Sequence, residues 1–424
     1  MEEIYDDILK FYFAKGFLHK VNKDVRRQFT GVNRMEKVRN YLAPFVKLFQ
    51  QEIRYRQQQK QHLTADNLHN NTWLFFSTFN NYNSLHFLTQ ALDDAVLIGA
   101  GFSFDKPLDI HLPFHRKALH LWRFPRVFRF FKKKYGKDAV RFGDLLFNSI
   151  GLYEIAYHYL KRFAPKCLVL ANDHSEKQRA MLNAAQRLNI PVVYIQHASI
   201  TSFMPPLDFD LSLLEGQHAL DQYQQLGRIK GKVEFVGMPK FDKYVSFRKV
   251  SKQVECIGFC TNLLDQQLEI ETTLKKLVAA FPKCAINFRP HPNDKRKFNL
   301  PPTVSTSTKA ETSFDFLQRQ DVLIAGVSSI HLEAVLLNVH SIYFEVTKVE
   351  EELVDAYGYV KNNLSKRANS IQELIEIIQS LQQNSFPVYE KAKYYNAVVG
   401  TENEGKSSEL AAKYIRNFLE DWQG

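Results

Sequence analysis

From residue 166 onward, the chain alternates short β-rich runs with longer segments of helical periodicity. Four runs up to residue 238 contain CLVLA, PVVYI, FDLSLL and KVEFVG, and five later runs contain VECIGFC, CAINF, VSTST, DVLIA and HSIYFEV. Apolar runs of this length are typical of strands that are covered on both faces of a parallel sheet. Helical stretches such as LEIETTLKKLVAAF separate several of them. The pattern predicts an α/β fold with two successive parallel sheets.

The first 70 residues follow a different pattern, with apolar residues at helical spacing. The stretches YDDILKFYF and MEKVRNYLAPFVKLFQQEIRYRQQQK each predict a helix, and the polar residues after them predict a solvated connector. Near Trp73 the period changes, because WLFFSTF is followed by the polar loop NNYNS and then by LHFLTQAL. Strand, loop and helix in this order predict the opening of an α/β unit.

A basic and less apolar stretch, SFRKVSKQ, predicts a domain boundary near Lys243–Val254. The last amphipathic stretch, GKSSELAAKYIRNFLEDW, is expected to pack back across the junction of the two domains. We therefore expect a helical N-terminal segment, two parallel-sheet domains of similar size and a terminal helix, at residues 1–70, 71–248, 249–400 and 401–424.

Composition excludes several classes of protein. The chain has 424 residues, of which 45% are hydrophobic and 24% charged, and its mean hydropathy is −0.32. These values exclude a disordered or fibrous chain. No apolar run approaches the ~18 residues of a transmembrane helix, and the acidic start lacks the order of a secretory signal, so we expect a cytoplasmic protein. The four cysteines form no CxxC pair, which predicts reduced thiols and no structural zinc.

The net charge of +11 favours polyanions, anionic membranes or phosphorylated substrates as partners. Residues 115–137 include LWRFPRVFRFFKKKYGK, in which basic residues alternate with Trp and Phe. Such a segment can place aromatic rings in a membrane interface while Lys and Arg contact anionic headgroups. Nucleic-acid binding and a core segment with a solvated basic face are the alternatives.

Polar residues follow the strands at six places. In open parallel sheets, ligands bind beyond the carboxyl ends of the strands, so six such clusters predict a cleft between the two sheets. In the first domain they are Asn172, Asp173, His174, Gln196, His197, Ser199 and Glu215. In the second domain they are Thr261, Asn262, Arg289, His291, Gly326, Ser328 and Ser329.

Two groups in the second domain suit a phosphate. In Arg289-Pro290-His291-Pro292, the prolines restrict the backbone around His291, and the guanidinium of Arg289 matches phosphate oxygens. The alternative is a rigid strand exit with a surface arginine. Ser328 and Ser329 begin a predicted helix directly after a strand, where hydroxyls and backbone N–H groups bind anions. Glu333 one turn later suits ribose hydroxyls; the alternative is a capping box.

Two residues in the first domain suit proton transfer. His197 leaves a strand and enters a loop, and an imidazole near neutral pKa suits general-base catalysis on a hydroxyl. A structural histidine is the alternative. Asp173 at a neighbouring strand end is a candidate base, a partner that orients His197, or a nucleophile. Its alternative is the N-cap of the helix SEKQRAMLNAAQRL.

Several catalytic motifs are absent from the sequence. There is no GxxxxGK[ST], no GxGxxG at a strand end, no HExxH and no GxSxG. Kinase, dehydrogenase, metalloprotease and serine hydrolase functions therefore lose their usual support.

Residues 168–334 resemble a known family. The motifs QHAS, RPHP and DVLIxGxSSxxxEA resemble those of GT-B glycosyltransferases, in which two Rossmann-like domains face a central cleft. The nearest branch contains the CDP-glycerol glycerophosphotransferases and the capsule and lipopolysaccharide transferases that use CMP-Kdo. The resemblance implies an acceptor base at His197 and donor-phosphate contacts at His291, Ser328 and Ser329. It implies ribose binding by Glu333.

The chain departs from that family at two points. The usual His-Gly is His197-Ala198 here, and the usual Asp-Tyr before the serines is Gly326-Val327. These departures leave a CMP-sugar or another nucleotide sugar open as donor. If the donor is a CMP-activated acid sugar and the anomeric configuration is retained, Asp173 becomes a candidate nucleophile.

The sequence thus predicts a metal-independent GT-B transferase without a cofactor, peripheral on the inner face of the plasma membrane. It would take a cytidine-nucleotide donor and a polysaccharide or lipid-linked acceptor in surface polysaccharide synthesis, and no nucleic acid is expected as partner. The alternatives are an enzyme like UDP-N-acetylglucosamine 2-epimerase and a non-enzymatic binder of anionic polymers.

Overall fold

Two six-stranded parallel sheets form the core of the protein in the computed structural model, which describes residues 2–13, 34–58, 68–100, 112, 114–202, 204–250, 253–349, 351–384 and 386–423. The strands of the first sheet are β1 Thr72–Phe76, β2 Ala95–Gly99, β3 Cys167–Leu170, β4 Val192–Ile195, β5 Asp208–Leu214 and β6 Lys230–Phe235. Those of the second sheet are β7 Cys256–Cys260, β8 Ala285–Arg289, β9 Val304–Thr306, β10 Val322–Ala325, β11 His340–Phe344 and β12 Lys366–Ala368. Both sheets are flanked by helices, and the prediction of an α/β fold with a helical N-terminus is confirmed.

Fourteen α-helices lie in the described residues. In the first 260 residues they are α1 Glu2–Phe13, α2 Arg34–Gln58, α3 Phe79–Leu85, α4 Leu88–Ala91, α5 Phe124–Tyr135, α6 Lys137–Arg141, α7 Gly143–Phe163, α8 Glu176–Arg187 and α9 Gln217–Leu226. The others are α10 Gln267–Ala280, α11 Ser313–Leu317, α12 Ile330–Leu336, α13 Ile371–Gln383 and α14 Ser407–Gln423. Four 3₁₀ segments span Phe114–Arg123, Pro239–Phe247, Glu351–Leu353 and Tyr389–Tyr394.

Each sheet has one point at which the strand order reverses, so that later strands are added on the other side of the first strand. The first sheet runs β2-β1-β3-β4-β5-β6, and the second runs β12-β11-β10-β7-β8-β9. The reversals therefore lie between β1 and β3 and between β7 and β10. In open parallel sheets, the crevice at the carboxyl ends of the two strands at such a point is where ligands bind.

Hydrophobic cores cover both faces of the first sheet. Helices α1, α7 and α8 pack on one face, and α3, α4 and α14 pack on the other. Ala411, Ala412 and Ile415 of α14 are fully buried against strand residues such as Val169 and Leu211. The last helix therefore lies on the first domain, and Ser407 and Ser408 at its start donate backbone hydrogen bonds to Asp242 at 3.0 and 2.7 Å.

The second sheet is covered in the same way. Helices α10 and α13 pack on one face, with Leu274 and Ile378 fully buried among the strand residues Ile257 and Ile324. Helices α11 and α12 pack on the other face, together with the segment Tyr389–Tyr394. This arrangement leaves the carboxyl ends of the strands open at one edge of the sheet.

Two strands were not predicted from the sequence. β2 lies at one edge of the first sheet, and its residues Ala95, Val96 and Leu97 are only partly buried. β12 lies at an edge of the second sheet and consists of the three residues KRA. β12 lacks the apolar run on which the prediction depended, whereas β2 has one, AVLIG, and was overlooked. The predicted connector QEIRYRQQQKQHLTADNLHNN is helical at residues 51–58, which belong to α2, and its residues 59–67 lie outside the described residues, as does part of the first predicted helical region.

Candidate functional site

The carboxyl ends of the two sheets meet across the domain junction. Lys240, which follows β6, donates a hydrogen bond to Oε1 of Glu333 in α12 at 2.6 Å. Ser199, which follows β4, shares a hydrogen bond of 2.5 Å with the hydroxyl of Tyr359 in the second domain. Both contacts join residues that lie beyond strand ends, so polar groups of the two domains share one site.

Asp173 lies beside the reversal point of the first sheet, directly after β3. Its carboxylate is 2% exposed, accepts a hydrogen bond from His174 Nδ1 at 2.8 Å and accepts another from the Tyr223 hydroxyl at 2.6 Å. Burial raises the pKa of Asp173, but the hydrogen bond and charge of His174 and the hydrogen bond from Tyr223 together lower it below its usual range. Asp173 is therefore a buried, ionised carboxylate held by two donors.

The N-cap alternative for Asp173 does not agree with this geometry. The side chain of Asn172 takes the backbone N–H groups, accepting from His174 at 3.1 Å and from Ser175 at 2.7 Å. Ser175 is the N-cap residue of α8. The carboxylate of Asp173 is thus left to its contacts with His174 and Tyr223.

His197 follows β4, the neighbour of β3, and is partly buried. Burial lowers its pKa to about 4, and the charge of Asp173 acts in the opposite direction. Its Nδ1 atom is buried and has no hydrogen-bond partner among the described residues. The imidazole is therefore neutral, has an unpaired nitrogen and lies close enough to Asp173 to be influenced by its charge, so it can accept a proton. Its pKa is lower than the near-neutral value expected from the sequence, which makes it a weaker base than predicted.

Glu215, Lys240 and Glu333 form a charged cluster across the junction. Glu215 follows β5, is 2% exposed, and burial raises its pKa to about 7. The charge of Lys240 lowers that pKa and the charge of Glu333 raises it. Lys240 also acts electrostatically on His197. One cation therefore influences two carboxyl groups and the candidate base.

Gln196 and Ser199 hold the loop around His197. Gln196 donates to the Ala198 carbonyl at 3.0 Å and accepts from the Glu215 amide at 2.9 Å. Ser199 is bonded to Tyr359, as described above. These residues fix the backbone on both sides of His197 and tie it to the loop after β5.

Hydroxyl and amide groups surround the reversal point of the second sheet. Thr261 and Asn262 follow β7, and Gly326, Ser328 and Ser329 follow β10. A Cβ atom placed on Gly326 would lie 4.0 Å from the Asn262 amide nitrogen, so the two strand ends are neighbours. The Thr261 hydroxyl is buried without a partner among the described residues. This crevice offers hydrogen-bond donors in the position where parallel sheets bind nucleotides.

The two serines do not form the capping box that was the alternative for this motif. Ser328 Oγ accepts a hydrogen bond from the Ile330 amide at 3.3 Å, while the N-cap residue Ser329 makes no side-chain cap. Glu333 pairs with Lys240 instead of the start of the helix. The hydroxyl of Ser329 and the second oxygen of Glu333 are therefore not used for capping.

His331 stabilises the loop between β10 and α12 from the protein interior. It is fully buried; one ring nitrogen lies 2.9 Å from the Gly326 carbonyl and the other 2.6 Å from Ser341 Oγ. Because a carbonyl can only accept, Nε2 carries the proton and the Ser341 hydroxyl donates to Nδ1. Ser365, 2.9 Å from Ser341, completes the chain of hydrogen bonds.

Arg289 and His291 make contacts away from the Ser328–Ser329 loop. Arg289 donates to the Ser307 hydroxyl at 2.6 Å and to the Glu311 carbonyl at 3.0 Å. His291 Nδ1 accepts from the Asn293 amide at 3.1 Å, and burial lowers its pKa. The structure thus brings together Asp173, His197, Glu215 and Glu333, and gives Arg289 local partners near β9.

Sequence analysis missed Lys240, the cation at the centre of this cluster. Lys240 follows the run KVEFVGMP, which was predicted as a strand. The strand-end rule that selected Asp173 and His197 selects Lys240 when it is applied to β6. Tyr359 gave no such signal, because it lies in a stretch of turns between β11 and β12.

Metal-binding clusters, membrane-spanning helices and disulfides are absent from the described residues. No group of three or more His, Cys, Asp and Glu side chains in these ranges is arranged to hold a metal ion. None of the described helices is long and apolar enough to cross a membrane. All four cysteines are free thiols.

No protein-family model matches the chain, and a search of curated proteins also finds no match. Solved structures do match it. The UDP-N-acetylglucosamine 2-epimerase from Rickettsia bellii covers 83% of this chain and 97% of its own, with 12% identity and a TM-score of 0.53. The UDP complex of MnaA from S. aureus also covers 83% of this chain and 97% of its own, with 12% identity and a TM-score of 0.52.

A second kind of solved structure matches over more of the chain. The wall teichoic acid polymerase TagF covers 92% of this chain and 98% of its own, with 12% identity and a TM-score of 0.51. At these identities the likeness establishes the fold alone. It confirms the GT-B-like architecture of two parallel-sheet domains that the sequence predicted.

Proposed function

We propose that the protein is a GT-B transferase that moves a nucleotide-activated group onto a hydroxyl of a surface polysaccharide or its lipid-linked precursor. The observation that carries this proposal is the junction itself. Candidate proton-transfer groups lie at the strand ends of the first sheet, and hydroxyl donors lie at the strand ends of the second. Lys240 joins the two sets by its hydrogen bond to Glu333. A transferase needs a base at the acceptor and donors at the leaving phosphate.

In the proposed reaction, His197 accepts the proton of the acceptor hydroxyl. Burial keeps the imidazole neutral at pH 7 and so able to accept a proton, although its low pKa limits its strength as a base. The acceptor oxygen forms a bond to the anomeric carbon of a CMP-sugar, and the bond from that carbon to the phosphate oxygen breaks. The nearby negative charge of Asp173 stabilises the imidazolium that results.

The leaving nucleotide carries the negative charge that develops in this step. We place its phosphate against the hydroxyls of Ser328 and Ser329, with Lys240 as the nearest cation, and its ribose against Glu333. Donors that are already oriented before the reaction stabilise such charge without reorganisation. His331 contributes by fixing the Gly326 carbonyl, and thereby the loop that carries both serines. The proposed step uses no metal ion and no cofactor.

The comparison structures support this choice of reaction class. TagF, whose soaked form is described with CDPG, covers 92% of this chain, whereas the epimerases cover 83%. The cytidine nucleotide is our preferred donor because of the resemblance found in the sequence. Its sugar or alditol is part of the test below.

A 2-epimerase is the second candidate, because one observation favours it. Glu215 is a buried carboxyl whose pKa burial raises to about 7, so it exchanges protons at neutral pH. Epimerisation at C2 of UDP-N-acetylglucosamine requires removal of one proton and its return on the opposite face. Several of the matching structures are UDP-N-acetylglucosamine 2-epimerases.

One experiment separates the two candidates. The protein is incubated in D₂O with CDP-glycerol, a CMP-sugar and UDP-N-acetylglucosamine in turn, and products are followed by NMR. The transferase predicts slow hydrolysis of a cytidine donor, with release of CMP and no deuterium at a sugar C2. Deuterium at C2 of the UDP-sugar would support the epimerase, and an unchanged panel of donors would overturn both assignments.

We also propose that the first domain attaches to an anionic membrane surface. Helix α2 and residues 114–135 together contain fourteen Lys and Arg against two Glu, a net charge of +12, while the whole chain carries +11. Trp122 and Leu119 are 71% and 63% exposed. Helix α2 adds a row of exposed apolar side chains at Met35, Val38, Leu42, Val46, Phe49 and Ile53.

This combination of charge and apolar exposure is typical of interfacial binding. Part of the charge is neutralised, since Arg126 pairs with Glu2 and Lys134 with Asp6. Lys132 and Lys133 remain exposed. Sedimentation with phosphatidylglycerol vesicles should therefore retain the wild type, and Lys132→Glu/Lys133→Glu should weaken binding by at least about tenfold. Equal binding to phosphatidylcholine vesicles, or binding only to duplex DNA, would contradict this part of the proposal.

A further inference from the structure

A cavity lies between the two domains, apart from the candidate site described above. It encloses about 420 Å³ and is bounded by α9 of the first domain and by residues 358–362 and Tyr394 of the second. Cavities of a few hundred Å³ are the size that small ligands occupy. None of the residues assigned above to acceptor, donor or membrane lines it.

His218 is a buried polar side chain that faces this cavity. It is 4% exposed, and its ring packs on Tyr395 with 4.4 Å between ring centroids. Neither ring nitrogen has a hydrogen-bond partner among the described residues. Burial lowers the pKa of His218 to about 4, so the ring is neutral at pH 7 and offers one donor and one acceptor.

Three polar atoms converge beside Gly358, which has a φ of +67°. A Cβ atom there would lie 3.0 Å from the Asn362 amide nitrogen, 3.6 Å from His218 Nε2 and 3.7 Å from the Tyr395 hydroxyl. Asn362 Nδ2 donates to the Tyr395 hydroxyl at 2.9 Å, and that hydroxyl donates to the Gly358 carbonyl at 2.7 Å. Of the three atoms, His218 Nε2 is therefore the one left without a partner in the described part of the chain. Such convergence is what orients a ligand in a pocket.

The rest of the lining is polar and nearly uncharged. Gln222 and Gln225 contribute two further amides, each with an acceptor oxygen and a donor nitrogen. Asp221 and Lys361 have opposite charges, and the Asp221 oxygens already accept from Gln217 and Tyr394 at 2.6 Å each. Amides and a neutral imidazole match the adjacent hydroxyl groups of a ligand, because each hydroxyl both donates and accepts a hydrogen bond.

We propose that this cavity binds an uncharged saccharide unit. Helix α9 begins two residues after Glu215, and Gly358 precedes Tyr359, which bonds Ser199 beside the candidate base. A saccharide held here touches both domains and lies next to the acceptor side of the site. We assign this saccharide to the acceptor glycan. That assignment rests on the proposed function, whereas the binding of a saccharide in the cavity does not.

Saturation-transfer NMR with methyl β-glucoside and N-acetylglucosamine as probes tests the proposal, with inorganic phosphate as a charged control. At least one saccharide should bind with a millimolar Kd. His218→Phe keeps the ring packing and removes the nitrogens, and Gln222→Ala changes a surface position of α9. Each should weaken binding at least about fivefold, the loss of roughly one hydrogen bond. Gln379→Ala, an exposed glutamine of α13, is the matched control and should bind as the wild type does.

Three results would overturn the saccharide site: no binding of either probe, binding that both cavity variants leave unchanged, and binding of phosphate alone. Titration of the same samples with CDP reports separately on the proposed function. Saccharide binding without nucleotide binding would keep the cavity site and overturn the transferase. Nucleotide binding without saccharide binding would keep the transferase and overturn the cavity site.

Discussion

The carboxyl ends of the strands form one edge of each sheet, called here the first edge and the second edge after the two sheets. The two edges have the same geometry and different chemistry. The edge of the first sheet carries Asp173, His197 and Glu215, which are titratable and largely buried. The reversal point of the second carries Thr261, Ser328 and Ser329, whose hydroxyls do not titrate in the physiological range. The fold supplies two equivalent crevices, and the side chains at the strand ends give one the groups for proton transfer and the other the groups for binding an anion.

Burial explains why the first edge is chemically distinct. It lowers the pKa of His197 to about 4 and raises that of Glu215 to about 7, in each case against the charged form. Asp173 stays ionised because two donors hold its carboxylate. Variants of the first edge should therefore change the rate of reaction, and variants of the second edge should change nucleotide affinity.

The largest effect is expected for His197→Gln. This change removes the candidate base and keeps a polar side chain of similar reach. The rate of transfer should fall by about 10²- to 10⁴-fold, the usual contribution of general-base catalysis. The rate is measured as nucleotide release from the donor in the presence of acceptor. The affinity for CDP serves as the control and should stay unchanged; a large loss of affinity would move His197 into the nucleotide site.

Lys240→Gln should have the next largest effect, because it removes the link between the edges. Glu333 and Glu215 would then repel each other without the intervening cation. We expect transfer to fall about 10²-fold and the free energy of unfolding to fall by about 2 kcal/mol, less than for a fully buried pair because the side chain is 34% exposed. Rates and urea denaturation measure the two effects.

Lys240→Arg is the matched control for that prediction, since it retains the charge beside Glu333. It should recover most of the stability. A Lys240→Gln protein with wild-type stability and rate would show that the ion pair is a surface contact without a role at the junction.

The pH dependence of stability should be set by the buried histidines. Burial lowers the pKa of His331 to about 4, whereas in the unfolded chain it is near 6.5, so the unfolded state binds more protons between these values. The free energy of unfolding should therefore fall by about 2 kcal/mol for each such histidine as the pH drops from 7 to 5. His197, His218 and His340 have the same shift.

Glu215 acts in the opposite direction in the same range, because its folded pKa is raised and the folded state binds more protons than the unfolded one. Burial also raises the pKa of Asp144, Glu176, Asp208 and Asp265, which act in the same direction as Glu215. Urea denaturation at pH 5 and 7 measures the balance, and we expect the four histidines to outweigh the carboxyl groups. His331→Phe should lower stability at both pH values and reduce the pH dependence. A stability that rises from pH 7 to 5 would contradict the account.

The smallest effect is expected for Ser329→Ala in the second edge. Loss of one hydroxyl contact to a charged phosphate should weaken nucleotide binding about tenfold. Calorimetry measures this change. Ser328→Ala should have a smaller effect, because Ser328 Oγ already accepts a hydrogen bond from the Ile330 amide. Neither change should affect the pH dependence of stability.

The sequence predicted the fold well where strands are buried on both faces. The runs around Val169, Val193 and Ile324 identified strands of both sheets, whereas the edge strand β12, with the sequence KRA, has no such run. The sequence could not show the strand order, which places the reversal points beside Asp173 and Ser329. That order depends on packing between residues that are distant along the chain.

The site was predicted in part for the same reason. The strand-end rule found Asp173, His197 and Glu215, which the structure brings close together. It did not show that Arg289 would pair with Ser307 and Glu311, because β9 ends beside β8 only in the folded sheet. Contacts across the domain junction, such as Ser199 with Tyr359, leave no local pattern in the sequence.

The most direct test of the two-edge account is a calorimetric titration with CMP, CDP, UDP and GDP, carried out on the wild type, Ser329→Ala and His197→Gln. The account predicts that a cytidine nucleotide binds most tightly, that Ser329→Ala weakens it about tenfold, and that His197→Gln leaves it unchanged. A preference for UDP would favour the epimerase. Binding of no nucleotide, or binding that depends on His197 and not on Ser329, would contradict the assignment of the two edges.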